Sequence, residues 1–365
     1  MEKNRNELIG LGLGRYPAFV RSDVQPEEIP VFQFHDVSPA TLEPALEFLA
    51  RNDYETLTGD EYYERVVGGL PRRDREVMLT FDDGEASLYT VAFPLLRKFK
   101  QRAVAYIIPG RIPDGGQALQ GNEAEHALCN WRQIREMHES CVINVQSHSL
   151  YHHSIAVSPR VVDFIRPGLT DSFLHSDLAP IRHQNMNGLG LDLHCPWGLP
   201  IYQWNARMGG SPAYIPNTQI EDLCIRYVAD HGGQDFFYAR DWRRQLKRII
   251  KNVQEKCTPI QFETAGEQRN AILTDLCQSK AAIEAALPGS WVRHFCFPWY
   301  RGSALAAELS LEAGYVTNAW GSLLPQFVNR DEIKPVPIPR LQPKYIYRLP
   351  GVGRMPLWRL FVAAV

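Results

Sequence analysis

Leu79-Thr80-Phe81-Asp82-Asp83-Gly84 decides how the rest of the chain is read. It is a short apolar run, preceded by Val77 and Met78, that ends abruptly in two adjacent carboxylates and a glycine. Like charges this close oppose each other's ionisation unless something positive lies beside them. A metal ion is the obvious cation. Further along, a second apolar run, Val142-Ile143-Asn144-Val145, ends in Ser147-His148-Ser149-Leu150-Tyr151-His152-His153, which supplies imidazoles at a spacing of four.

Around these two runs the chain alternates. A strand over 31–34 ends in His35-Asp36-Val37, and a helix over 38–52 carries Leu42, Leu46 and Leu49 at helical spacing with Ser38 or Thr41 as cap. A short helix begins at Thr58, a helix covers 86–99, a strand 103–108 and a helix 131–138. Strand, helix and strand in turn predict a mainly parallel sheet with helices outside it. In such folds the chemistry gathers at the carboxyl ends of the strands, which is where Asp82, Asp83, His148 and His152 fall.

From 154 to 241 the pattern changes to Pro, Gly, Asn, His and aromatic residues, which predicts a long insertion over one rim, since loops of this length are usually functional. Trp197, Tyr202, Trp204 and Tyr214 are read either as a stacking surface for a ring-shaped ligand or as the insertion's own small core. Helices follow over 241–256 and 265–287. A strand over 293–297 leads into Pro298-Trp299-Tyr300, then come a helix over 303–313 stopped by Gly314 and strands over 315–320 and 336–341. The tail, 343–365, is expected to pack on its own domain. Residues 1–28 carry the Gly10, Gly12, Gly14 alternation, but with no strand before it and no helix after it this reads as a flexible lead-in rather than a phosphate loop.

At 365 residues and 45% hydrophobic content the chain can bury a barrel-sized core. Lys plus Arg 39 against Asp plus Glu 41 leaves a formal charge of -2, so no whole-protein attraction to nucleic acid is expected. Seven scattered cysteines without a CxxC pair fit reduced thiols better than a disulfide framework. The N-terminus has acids where a signal peptide would carry only bases, and no run approaches the roughly 20 apolar residues of a membrane span. A cytoplasmic location is the expectation; the oligomeric state is left open.

One carboxylate with two imidazoles would leave a divalent ion open positions for water and substrate, the arrangement of catalytic zinc, and the leftover carboxylate would then take a proton from that water. Each part also has a bland reading. Asp-Asp-Gly after a strand is often a turn, an HxxxH arises by chance, and His138 and His153 are spare imidazoles.

Thr80-Phe81-Asp82-Asp83-Gly84 followed by Ser147-His148-Ser149-Leu150-Tyr151-His152 resembles the first two motifs of the polysaccharide deacetylase family (carbohydrate esterase family 4, the NodB homology domain). The resemblance implies an α/β fold, a distorted (β/α) barrel of about seven strands, spanning 29–342 with the 154–241 insertion. It implies Asp82 as general base and Asp83, His148 and His152 as ligands of a divalent ion, zinc first, with cobalt, nickel or manganese as alternatives. Phe297-Pro298-Trp299 resembles the third motif, whose backbone N–H holds the oxyanion, here that of Trp299. The arginine usual two residues before the proline is replaced by Cys296, so Arg340, on the last strand, is expected to orient Asp82. Phe34-His35-Asp36-Val37 resembles the motif of the branch in which this strand comes first in sequence, which makes His35 the acid and Asp36 its partner. The implied activity is removal of an N-acetyl group from an amino sugar or other carbohydrate. A hydrolase of some other acylated amine, or a sugar-binding module without catalysis, remain as alternatives.

Overall fold

The computed structural model describes residues 7, 10–13, 15–114, 128–169, 196–254, 260–326, 328 and 335–362. They fall into two compact units, one of Met1–Leu150 with Leu273–Val365, the other of Tyr151–Ile272.

In the first unit, β1 (Val31–Phe34) runs into α1 (Pro39–Arg51), which Ser38 and Thr41 open with a reciprocal capping box and Pro39 at the first turn. Then come β2 (Glu55–Thr56), α2 (Gly59–Val66), capped by Thr58 and Glu61, and β3 (Glu76–Asp83). The expected helix over 86–99 is a π turn, Leu88–Ala92, continued as α3 (Phe93–Lys98). β4 (Ala103–Ile107), α4 (Trp131–Glu139) and β5 (Ile143–Ser147) complete the first stretch.

The second unit holds β6 (Ser154–Phe164), β7 (Pro200–Ala206), β8 (Tyr214–Ile215), α5 (Thr218–Asp230), α6 (Trp242–Gln254) and β9 (Gln261–Phe262). α7 (Ala265–Ala286) leads back to β10 (His294–Cys296), α8 (Ala304–Glu312), β11 (Thr317–Ala319) and β12 (Val336–Ile338) in the first unit.

Seven strands of the first unit form one sheet in the order β1-β3-β4-β5-β10-β11-β12, with β2 paired to β3. Every pairing is parallel. The sheet closes where Leu341, just past β12, donates to the Val31 carbonyl at 2.7 Å and accepts from Gln33 N at 2.9 Å. This is the (β/α) barrel the sequence implied, with β1 beside β3. Strand residues alternate, and Val31, Met78, Val104, Tyr106, Cys296, Ala319 and Ile338 share one buried cluster. Two positions on from these along β1, β3 and β12 stand Gln33, Thr80 and Arg340, so the interior turns polar toward the carboxyl end.

The second unit begins near the expected start of the insertion but runs to 272, not 241. α6 is the reason: its apolar stripe, Leu246, Ile250 and Val253, joins Phe164, Ile220, Cys224, Val228 and Phe236 in a core of its own. Strands β6 and β7 pair antiparallel, as do β8 and β9. The unit is therefore more ordered than its Pro- and Gly-rich composition suggests, although 170–195 lie outside the described residues.

The lead-in is not a loose arm. Phe19 and Val20 are buried, Tyr16 meets Tyr345 at 5.5 Å, and Arg348 donates to the Val20 carbonyl at 2.8 Å. Glu7 accepts from Lys344 at 2.8 Å and from the Tyr345 hydroxyl at 2.5 Å. The lead-in and the tail thus pack against each other. Cys129, Cys141, Cys224, Cys277 and Cys296 are free thiols, while Cys195 and Cys257 lie outside the described residues. No helix among the described residues is long and apolar enough to cross a membrane.

Candidate active site

β3 is buried along almost its whole length and delivers Asp82 into the barrel, opposite Tyr106 in the parallel register. The chain then reverses. Asp83 has φ 69° and Gly84 φ 83°, and a Cβ at Gly84 would stand 3.2 Å from Ile107 Cγ2. Glycine is the residue for which that conformation and that approach are both cheap.

Asp82 is clasped by Arg340. Nη1 lies 2.6 Å from Oδ1 and Nη2 2.8 Å from Oδ2, while Nη1 also reaches Thr80 Oγ1 at 3.2 Å and Nε donates to the Trp320 carbonyl at 3.0 Å. Arg340 stands two residues past β12 rather than on it, but its guanidinium is where the absent arginine left a need. Burial would raise the Asp82 carboxyl, yet Arg340 beside it, helped by His148, holds it below the usual carboxylate range. Cys296 fills the position of the missing arginine, its thiol 3.8 Å from Asp82 Oδ2. Burial pushes that thiol up, so it stays protonated.

His35 leaves β1 with Nε2 3.7 Å from Asp82 Oδ2 and is 46% exposed, so it faces both the buried carboxylate and the opening. Asp36 is not its partner. Its charge acts instead on Glu85, whose carboxyl is pushed up to about 7 by burial and by Asp83 and Asp36.

Asp83, His148 and His152 each offer a ligand atom, all within 4.8 Å of one another. His148 Nδ1 lies 2.8 Å from the Cys296 carbonyl oxygen, which can only accept, so Nδ1 carries the proton. That leaves Nε2 as the ligand atom, 3.4 Å from Asp83 Oδ1, and an imidazole oriented through its other nitrogen is the usual state of a metal ligand. Burial lowers the proton affinity of His148, but the carboxylates of Asp83 and Asp82 beside it outweigh that and hold the ring above the usual imidazole range. A surplus of negative charge retains a proton where a divalent ion would otherwise neutralise it. The ligand atoms of Asp82, His148 and Cys296 also lie within 4.8 Å of one another. Both Asp82 oxygens are committed to Arg340, so the first group is the better fit for a cation.

Five positions near the cluster have left-handed backbone without being glycine: Asp83, Ser149 (φ 69°), His152 (φ 57°), Trp299 (φ 50°) and Tyr300 (φ 58°). Such conformations cost about 1–3 kcal/mol each and concentrate at functional sites. Trp299 and Tyr300 follow β10 in one turn, and the Tyr300 ring meets His35 edge-on at 6.3 Å. Sequence reading missed Glu85 and Tyr300. Each adjoins a recognised motif, but neither residue type signals a role without the fold. Of the insertion's aromatics, Tyr202 and Tyr214 are buried against each other at 5.3 Å, which places them in that unit's own core, and Trp197 is 39% exposed.

Comparison with known proteins agrees with this fold. The polysaccharide deacetylase family profile matches residues 69–177. The poly-β-1,6-N-acetyl-D-glucosamine N-deacetylase of Escherichia coli K12 is 30% identical over 125 residues, 33% of this chain and 19% of that protein. The enzyme of the same name from Staphylococcus aureus MRSA252 is 27% identical over 125 residues, 33% of this chain and 40% of that protein. The match thus spans about a fifth to two fifths of these relatives. Among solved structures, the BpsB deacetylase domain of Bordetella bronchiseptica superposes with TM-score 0.53 at 18% identity, over 87% of this chain and 97% of that one. A de-N-acetylase from Aggregatibacter actinomycetemcomitans gives 0.51 at 14% identity, over 86% and 94%. At such identities the superpositions speak for the fold.

Proposed function

We propose that this chain hydrolyses the N-acetyl group of an amino sugar in a carbohydrate chain, using a divalent ion, a reading supported by the match of residues 69–177 to the polysaccharide deacetylase family profile. The observation that carries this is the pairing of a buried carboxylate, clasped on both oxygens by Arg340, with an adjacent carboxylate and two imidazoles.

Asp83, His148 and His152 hold the ion, zinc first among the candidates. When bound, it would acidify water and polarise the acetyl carbonyl. Asp82 takes the proton from the attacking water. Its ion pair with Arg340 keeps it ionised and fixes its direction, so it is ready as a base before substrate arrives. The Trp299 amide, in its left-handed turn, donates to the oxygen that gains charge in the transition state. His35, half exposed and beside Asp82, gives a proton to the departing nitrogen, so that free amine and acetate leave.

The names of the sequence relatives make β-1,6-linked N-acetylglucosamine the first substrate to assay. Acetate release from such oligomers by the full chain, before and after chelation and after zinc is restored, is the test. Release that stops with chelator and returns with zinc is expected. Release untouched by chelation would overturn the metal's role, and no release from any N-acetylhexosamine oligomer would overturn the substrate class.

A further inference from the structure

Arg340 has a problem that its hydrogen bonds do not solve. It stands two residues past the last strand, its backbone N–H bonded to the Gly321 carbonyl at 3.2 Å, and from there it must hold a flat fork against Asp82. Its N–H groups are directed at Asp82, Thr80 and the Trp320 carbonyl. A further restraint on the group is contact with aromatic rings.

Two tyrosines make that contact. The Arg340 Cζ atom lies 5.7 Å from the Tyr106 ring centroid and 5.6 Å from that of Tyr300, inside the range at which a guanidinium is attracted to an aromatic ring. Tyr106 projects from β4 at the position paired with Asp82, so the strand register that sets the carboxylate also sets this ring. Its hydroxyl is fully buried and has no hydrogen-bond partner among the described residues, so the position draws on the ring and not on the oxygen. Tyr300 arrives from the other side of the sequence, on the left-handed turn after β10, and meets His35 edge-on as well. At the position where the family has its arginine, Cys296 presents a small side chain, its thiol 3.8 Å from Asp82 Oδ2.

We infer that Tyr106 and Tyr300 are positioning residues that clamp the relocated guanidinium of Arg340 and through it aim Asp82. Tyr300 does so while also setting the ring of His35. The clamp replaces the local support that an arginine carried on β10 would have had. The kinetic consequence rests on Asp82 being the base, as proposed above; the clamp itself does not.

The test uses the full chain with ring-preserving and ring-deleting substitutions. Tyr300→Phe and Tyr106→Phe keep a ring face and are expected within about twofold of wild type in kcat. Tyr300→Leu is expected to lose kcat by about tenfold with KM little changed, the size of one desolvated cation–π contact. Tyr106→Leu behaves alike, with Tyr106→Met in reserve should that variant not fold. A second readout does not depend on turnover. In protein labelled with 15N-arginine, the Arg340 Nε–H resonance, shifted by the two rings, is expected to persist in the Phe variants and to move in the Leu variants. Leu variants that match the Phe variants in both kcat and the Arg340 resonance would overturn the clamp. If the chain releases no acetate from any substrate, the proposed activity fails, and the resonance alone decides the clamp.

Discussion

The two ends of the barrel are built from the same three residue types and do opposite things with them. At the carboxyl end, Asp82, Arg340, His35 and His148 meet Asp83 and Glu85. At the amino end, His294 lies between Thr317 Oγ1 at 2.8 Å and Asp60 Oδ1 at 3.2 Å, and Arg293 reaches the same Asp60 oxygen at 3.1 Å. Gln146 closes that end, its Oε1 accepting from Arg293 N and His294 N, each at 2.9 Å. One carboxylate there faces one guanidinium and one imidazole, and the charges balance. At the other end carboxylates outnumber the permanent cation, and one carboxyl is pushed up to about 7. A His–Asp–Arg cluster is therefore not a site by its membership. The uncompensated charge marks the site.

Removing the same functional group at each end makes the comparison decisive. Asp82→Asn keeps the shape but removes the proton acceptor, and turnover is expected to fall by about 10²–10⁴-fold, the usual worth of a general base. Asp60→Asn should leave kcat within about twofold, since it touches no group assigned to the chemistry. Acetate release by both variants at matched folded concentration checks this. Equal losses would mean that the two ends are not functionally distinct.

Arg340 comes next in size. Arg340→Met leaves Asp82 buried without its partner, and about 3–5 kcal/mol of stability is expected to be lost. Arg340→Lys retains charge but not the fork, so a smaller loss of stability should accompany a loss of turnover of about tenfold or more. Urea midpoints and kcat together separate these effects. A lysine variant with unchanged turnover would remove Arg340 from the account of the base.

Gly59 tests the amino end by packing alone. A Cβ there would lie 2.4 Å from His294 Cδ2 and 2.8 Å from Nε2, against a ring that cannot move without leaving Thr317 and Asp60. Gly59→Ala is expected to cost about 1–3 kcal/mol while kcat per folded molecule stays unchanged. A variant as stable as wild type would show that this end is looser than its hydrogen bonds imply.

Much of this was legible beforehand, because the signals were local. An apolar run ending in Asp82-Asp83-Gly84 and another ending in His148 and His152 are strand ends whatever surrounds them, and alternation supplied the parallel sheet. Arg340 was legible for a different reason: the family resemblance lacks its usual arginine at Cys296, which pointed to another arginine for Asp82. What stayed hidden depended on long-range register. Tyr106 is an ordinary apolar-strand residue until β4 lies beside β3. The pairing of His294 with Asp60 and Thr317 likewise appears only once the strands are aligned. The extent of the second unit was hidden because α6 carries an apolar stripe that would suit a barrel helix equally well, and the sequence does not say which core it joins.

The smallest predicted effect is also the one that separates the ends by sign. The folded-state pKa of His148 is raised above its ordinary 6.5, so its contribution to stability is present in full below that pH and is lost as pH rises through the raised value. That of His294 is lowered, chiefly by burial, with Asp60 opposing, so its contribution is intact above 6.5 and is lost as pH falls from there toward the lowered value. Each slope is bounded by about 1.4 kcal/mol per pH unit, the limit for one proton. Urea midpoints of wild type, His148→Gln and His294→Gln between pH 5 and 9, in chelator so that no cation displaces the proton at His148, read these slopes directly. Relative to wild type, His148→Gln should flatten the decline toward alkaline pH and His294→Gln the decline toward acid. Two variants that bend the profile in the same direction would mean that the histidines share one electrostatic environment, and the contrast between a balanced end and a charged one would not stand.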